Sequence, residues 1–174
     1  DSFPFYYFVP RVVCEGILDQ GALVFINHDK NNKHPRSAFL LADRDLDGYD
    51  MMQEVFEQGP GRSPIPAAVR RGQCFNSAGI QPYAGLIAAG QFNAELAPGE
   101  SRTWTLAYGQ CPIEPGERGR FLRQVRQEVL ARPDEARQTL RTLWSERIAA
   151  AAVRTPDADI DRYYNVWSKY QLRN

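Results

Sequence analysis

The spacing of hydrophobic positions changes once along this chain. Up to about residue 113 the apolar residues come in short runs of strand length; beyond Pro115 they recur at helical intervals. Ala22 to Ile26 is an unbroken apolar run between Gln20-Gly21 and a strongly polar stretch, the pattern of a strand buried on both faces. Ser37 to Ala42 is a second such run, Phe3 to Val9 is aromatic and β-branched, and Arg11 to Leu18 alternates loosely. Gly85 to Leu96 predicts a further strand, and Arg102 to Tyr108 alternates clearly enough to predict another. Gln20-Gly21 and Ala97-Pro98-Gly99-Glu100 read as turns. Between these runs, Asp43 to Ser63 is acidic and glycine-bearing and reads as loop, with one short helix over Met51 to Gln58.

After Pro115, Phe121, Leu122, Val125, Val129 and Leu130 fall on one face of a helix. Pro133-Asp134-Glu135 ends it and starts another, with Leu140, Leu143, Trp144 and Ile148 aligned. Thr155-Pro156-Asp157 caps a third, along which Ile160, Tyr163, Tyr164, Trp167 and Tyr170 form an aromatic stripe. Strands followed by helices in series predict an α+β fold, or a β-sandwich joined to a helical unit.

Composition narrows the function classes. A chain of 174 residues suits one domain, or one domain with a helical appendage. A formal net charge of zero lacks the basic excess that nucleic acid or an anionic membrane surface demands. No apolar run reaches membrane-spanning length, so neither nucleic acid nor membrane is expected as a partner. The three cysteines, Cys14, Cys74 and Cys111, stand far apart with no metal-type spacing, which suits reduced, structural thiols and a cytoplasmic setting. The chain opens without methionine inside an aromatic run and ends at Tyr170-Gln171-Leu172-Arg173-Asn174 with no helix stop. A piece of a longer polypeptide is therefore expected.

One dense polar cluster stands out: Asn27 to Arg36, which holds both histidines between two apolar strands. A loop carried by rigid strands is a good place for binding groups. It equally suits a polar connection whose side chains satisfy its own backbone. A metal site through His28 and His34 is conceivable, though the spacing is nonstandard. Asp43-Arg44-Asp45-Leu46-Asp47-Gly48-Tyr49-Asp50 superficially looks like a calcium loop but lacks the twelve-position alternation and the closing glutamate, so it reads as a solvated acidic loop. No GxSxG and no Walker pattern occurs, and no carboxylate pair is marked out for acid–base work.

Three stretches taken together are more specific. Asn27-His28-Asp29, His34-Pro35-Arg36-Ser37-Ala38-Phe39 and Asp47-Gly48-Tyr49-Asp50 lie in the first. Leu96-Ala97-Pro98-Gly99-Glu100 followed by Trp104 to Gly109 is the second, and Asn165-Val166-Trp167-Ser168-Lys169-Tyr170-Gln171 the third. In order and spacing the chain resembles the N-terminal part of the phosphorylases of glycoside hydrolase family 94. The resemblance implies an antiparallel β-sandwich (a supersandwich, galactose-mutarotase-like) over residues 1–113 and linker helices over 114–156. Residues 157–174 would be the first helix of an (α/α)6 barrel. Glu54-Val55-Phe56-Glu57-Gln58-Gly59 departs from the Phe-Leu-Gly run typical of that family, which leaves the sugar open.

The resemblance further implies that the general acid and phosphate-binding groups lie in the barrel, so no catalytic residue carries over to positions 1–174. The parent enzyme would cleave a β-linked gluco-oligosaccharide or disaccharide with inorganic phosphate as co-substrate, with inversion and no other cofactor. This part would support the barrel and a homodimer. His28 and Arg36 of the polar loop, and Tyr170 and Gln171 at the last helix, are the residues expected near substrate. The rival expectation is a stand-alone carbohydrate-binding module that uses exposed aromatics such as Tyr49 or Tyr83. Such a module should bury the stripe Ile160, Tyr163, Tyr164 and Trp167, whereas a piece of a larger enzyme should expose it.

Overall fold

The computed structural model describes residues 13–28, 36–57, 64–82, 85–150 and 152–171. The strand expected over Phe3 to Val9, together with His34 and Tyr83, lies outside these. The chain forms two compact units, residues 1–131 and 132–174.

In the first unit, β1 (Val13–Asp19) and β2 (Ala22–Asn27) form a hairpin closed by Gln20 and Gly21, whose φ values of 52° and 75° make the turn that matches strand twist. β3 is Arg36–Ala42, β4 Gly48–Met52, β5 Gly79–Pro82, β6 Leu86–Gln91 and β7 Leu106–Pro112. Five strands pair in the order β5-β1-β2-β3-β7, all antiparallel, while β4 and β6 form a separate two-stranded sheet. The apolar run Ala22–Ile26 is the central strand, and its Ala22, Leu23 and Val24 are fully buried, as a strand covered on both faces requires.

Two layers cover that sheet. On one face lie α3 (Pro115–Gln124) and the π-helical turn Val125–Leu130 that continues it. Leu122 and Leu130 join Val24, Ile26, Phe39, Leu41 and Cys111 in one core, with Phe121 edge-on to Phe39 at 5.8 Å. Arg118 fixes this helix in place. It is buried, donates from Nε to Asp19 Oδ2 at 2.6 Å, and satisfies the Ile113 carbonyl at 2.7 Å. On the other face, fully buried Met51 of β4 lies over Gly16 of β1, where an added Cβ would stand 3.0 Å from its Cε. Two short helices, α1 (Gln53–Glu57) and α2 (Ala67–Arg71), complete this side.

Three expectations need correction. The alternating stretch Arg102–Tyr108 enters the sheet only from Leu106, and the strand runs on to Pro112 opposite Arg36. Its first residues serve other partners: Trp104 stacks on Phe92 at 5.5 Å, and Thr105 N–H donates to the Asp43 carboxylate at 2.8 Å. The acidic stretch Asp43–Asp50 is not a solvated loop, since Gly48–Met52 is a strand and Asp50 is fully buried. The helix expected over Met51 to Gln58 starts only at Gln53, because Met51 and Met52 belong to β4, and it is described as far as Glu57.

The second unit holds α4 (Pro133–Ala149), α5 (Ala158–Arg162), a π-helical turn (Tyr163–Ser168) and α6 (Lys169–Gln171). Asp157 caps α5 as expected, accepting from the N–H groups of Asp159 and Ile160. Asn165 pairs through both ends of its amide with the Val153 backbone, at 2.8 and 2.7 Å, and Lys169 Nζ reaches the Ile148 carbonyl at 2.6 Å.

Candidate functional site

His28 is the first residue beyond β2, and its Nε2 lies 2.9 Å from Glu15 Oε2 of β1. Arg36 opens β3 and is exposed. Because Ile26 faces Ser37 across the β2–β3 pair, His28 and Arg36 emerge at the same end of the sheet. The topology thus brings together a carboxylate, an imidazole and a guanidinium at one sheet end. Residues 29–35 lie outside the described residues, so the His28/His34 pair receives no geometry. Among the described residues no group of three or more His, Cys, Asp or Glu side chains gathers as a metal cage.

Tyr170 and Gln171 belong to the second unit, in α6, where Gln171 is exposed. The signature that contains them has a structural side absent from the sequence reading, because its Asn165 and Lys169 hold the Ile148 and Val153 backbone. Ile160, Tyr163, Tyr164 and Trp167 are 46%, 57%, 55% and 56% exposed, with the Tyr163 and Tyr164 rings edge-on at 6.0 Å.

The cysteines are free, and each thiol is pushed above its ordinary range. Burial does this at Cys14. At Cys74 burial acts first, joined by the charge of Asp50 and a hydrogen bond to it. At Cys111 burial outweighs the nearby Arg118, with Asp19 pushing further up and Arg36 pulling down. Thiols held protonated in this way are poor nucleophiles.

A second polar group lies at the tip of the β1–β2 hairpin, joining the acidic stretch and Tyr49 to Asn76, Asn93 and Arg126, which the sequence did not connect with them. Asp47 Oδ2 accepts from the Asn93 N–H at 2.7 Å, and Asn76 Oδ1 accepts from the Tyr49 N–H at 3.0 Å. Arg126 spans from Asp45 Oδ1 at 3.2 Å to the Gln20 carbonyl at 3.3 Å. Asn76 has φ 57°, a conformation non-glycine residues seldom adopt, and an asparagine between Phe75 and Ser77 was the available sign of it.

An antiparallel sheet backed by a helix defines an α+β domain. Comparison with known proteins is more specific. No family model matches the chain. It is 28% identical over 140 residues to the 3-O-beta-D-glucopyranosyl-beta-D-glucuronide phosphorylase of Paenibacillus borealis, covering 80% of this chain and 17% of that protein. To the solabiose phosphorylase of the same organism it is 26% identical over 166 residues, 92% of this chain and 20% of that one. To the N,N'-diacetylchitobiose phosphorylase of Vibrio furnissii it is 32% identical over 133 residues, 76% of this chain and 16% of that one. The chain is a low-identity relative of the phosphorylases of glycoside hydrolase family 94, and it spans about a fifth or less of their length.

Proposed function

We propose that this chain is the non-catalytic N-terminal part of an inverting β-glycoside phosphorylase, a β-sandwich with linker helices that supports a helical catalytic barrel and a homodimer in the cytoplasm. The observation that carries this reading is the similarity to several disaccharide phosphorylases across 76% to 92% of the chain. The half-exposed stripe Ile160, Tyr163, Tyr164 and Trp167 supports it, because apolar surface of this extent is the signature of a face that packs against further protein. The two-sheet arrangement of the first unit, with Met51 closing one face, is consistent with a sandwich.

In the reaction, a phosphate oxygen attacks the anomeric carbon, the glycosidic C–O bond breaks, and an acid protonates the departing oxygen. The products are an α-sugar 1-phosphate and a shortened sugar. His28 and Arg36 are proposed to face the mouth of the active site from the sandwich, and Tyr170 and Gln171 from the first barrel helix. The test is an assay of the longer polypeptide encoded with this chain, with β-linked disaccharides in the presence and absence of phosphate. Release of sugar 1-phosphate only when phosphate is present is the expected result. Cleavage by water alone, or no cleavage of any β-linked glucoside, overturns the reading.

A further inference from the structure

The layer formed by β4 and β6 lies against β1, with Met51 over Gly16, and it leaves the β3–β7 half of the same sheet face open. The pairing puts Leu40 of β3 opposite Tyr108 of β7, Ala42 opposite Leu106 and Ala38 opposite Gln110. Alternation along the strands turns all of these away from the core that Phe39, Leu41 and Cys111 share with Leu122. Tyr108 is 86% exposed and Leu106 51%, and Ala38 and Gln110 are exposed beside them, whereas Leu23 on the same face of β2 is fully buried. Half-buried Phe25, opposite Ala38, carries the patch toward the covered side. Adjoining apolar groups of this kind form a continuous surface, which soluble domains normally cover.

The chain itself holds a segment suited to that face. Residues 1–12 lie outside the described residues and lead into β1 at Val13. Within them, Phe3, Phe5, Tyr6, Tyr7, Phe8 and Val9 make an almost wholly aromatic run with no charge between Phe3 and Val9. In the order β5-β1-β2-β3-β7, β1 and β7 stand three strand spacings apart, about 14 Å at roughly 4.8 Å each. The stretch from Val9 to Val13 can span about 13 Å at roughly 3.3 Å per residue, so the aromatic run can lie over β3 and β7. A second copy of the chain suits the face less well. A stable interface engages roughly 20–30 residues a side, and the open half offers only the handful named above among the described residues. Docking within one chain also avoids the loss of translational and rotational freedom that association costs. We propose that Phe3–Val9 of this chain docks on the open β3–β7 face, over Leu40, Leu106 and Tyr108. This contact forms whether or not the longer polypeptide cleaves a sugar.

The experiment joins nuclear Overhauser spectroscopy on the isotope-labelled full chain to limited trypsin digestion at Arg11. Ring protons of Phe3, Phe5, Tyr6, Tyr7 and Phe8 should show cross-peaks to the methyl groups of Leu40 and Leu106 within one molecule. Trypsin reaches Arg11 when the docked segment opens. Tyr108→Asp sets a charge in the apolar contact and should speed release of the 1–11 peptide roughly tenfold. Tyr108 stands on the open side of an edge strand, so this variant should keep the circular dichroism of the full chain. Should it fail to fold, the cross-peaks of the unaltered chain decide alone. Absence of cross-peaks from these rings to Leu40 and Leu106 overturns the proposal, as does release of the 1–11 peptide at the same rate from the full chain and from a folded Tyr108→Asp. Cross-peaks seen only between labelled and unlabelled molecules, with a dimer in sedimentation, overturn it in favour of a second copy.

Discussion

Asp50 is fully buried, and its carboxylate accepts from the Phe75 N–H, the Ser77 N–H and the Ser77 hydroxyl, the last at 2.7 Å. A buried carboxylate is tolerable only when donors replace its water, and here they come from the 74–77 segment, which is thereby held against β4. Asn at this position directs an NH₂ at groups that are themselves donors. Asp50→Asn is therefore expected to destabilise the first unit by roughly 2–3 kcal/mol. A urea titration followed by circular dichroism measures it, and an unchanged midpoint would show that the carboxylate does not hold this segment. The same logic explains why such residues are illegible in sequence. Asp43, Asp47 and Asp50 bond to groups 62, 46 and 25–27 residues away, so nothing local separates them from a solvated acidic run. Tyr49 and the acidic run could be singled out, but their meeting with the hairpin tip and Asn76 could not, because those groups come from separate parts of the chain. His28 and Arg36 were easier to single out, because they stand in a polar run between two apolar ones.

The elements that could be read from the sequence are those whose pattern is self-sufficient. Ala22–Ile26 is apolar at every position, and the helices after Pro115 repeat their apolar face over several turns. β4 and β5 are five and four residues long and contain Asp50 and Pro82, so their pairing depends on partners that a local pattern does not display. The β1–β2 turn belongs to the legible class, and it is under a double constraint. Gly21 has φ 75°, and a Cβ there would stand 2.6 Å from the guanidinium of Arg126. Gly21→Val must therefore strain the backbone and displace the arginine that ties the π-helical turn to Asp45 and Gln20. A loss of about 2 kcal/mol is expected. If it arises as argued, Arg126→Ala in the Gly21→Val background should add little further, and full additivity in urea melts would break the link between them.

At the scale of the whole molecule, the two units differ in what sustains them. The first has a continuous core in which Val24, Phe39, Leu41 and Cys111 meet Leu122 and Leu130, and the buried Arg118–Asp19 pair locks its helix to the hairpin. In the second, α4 has no buried residue along its 17 positions, and Leu140, Tyr163, Tyr164 and Trp167 are each more than half exposed. The polar interactions that help order it include the Asp157 cap, the Asn165–Val153 pair, the Thr155–Asp161 bonds and the Lys169–Ile148 contact, each worth on the order of 1 kcal/mol. Helices of this length with no fully buried residue are marginal in water. Residues 1–131 alone should therefore keep a cooperative urea transition and the β-type circular dichroism of the full chain. Residues 132–174 alone should be largely unfolded and gain helix only when apolar surface is supplied to the aromatic stripe. Loss of the cooperative transition from residues 1–131 would mean that the core does not sustain itself. A fully helical, protease-resistant 132–174 peptide would mean that the stripe needs no covering partner, and would remove the support it lends to the proposal of a larger enzyme.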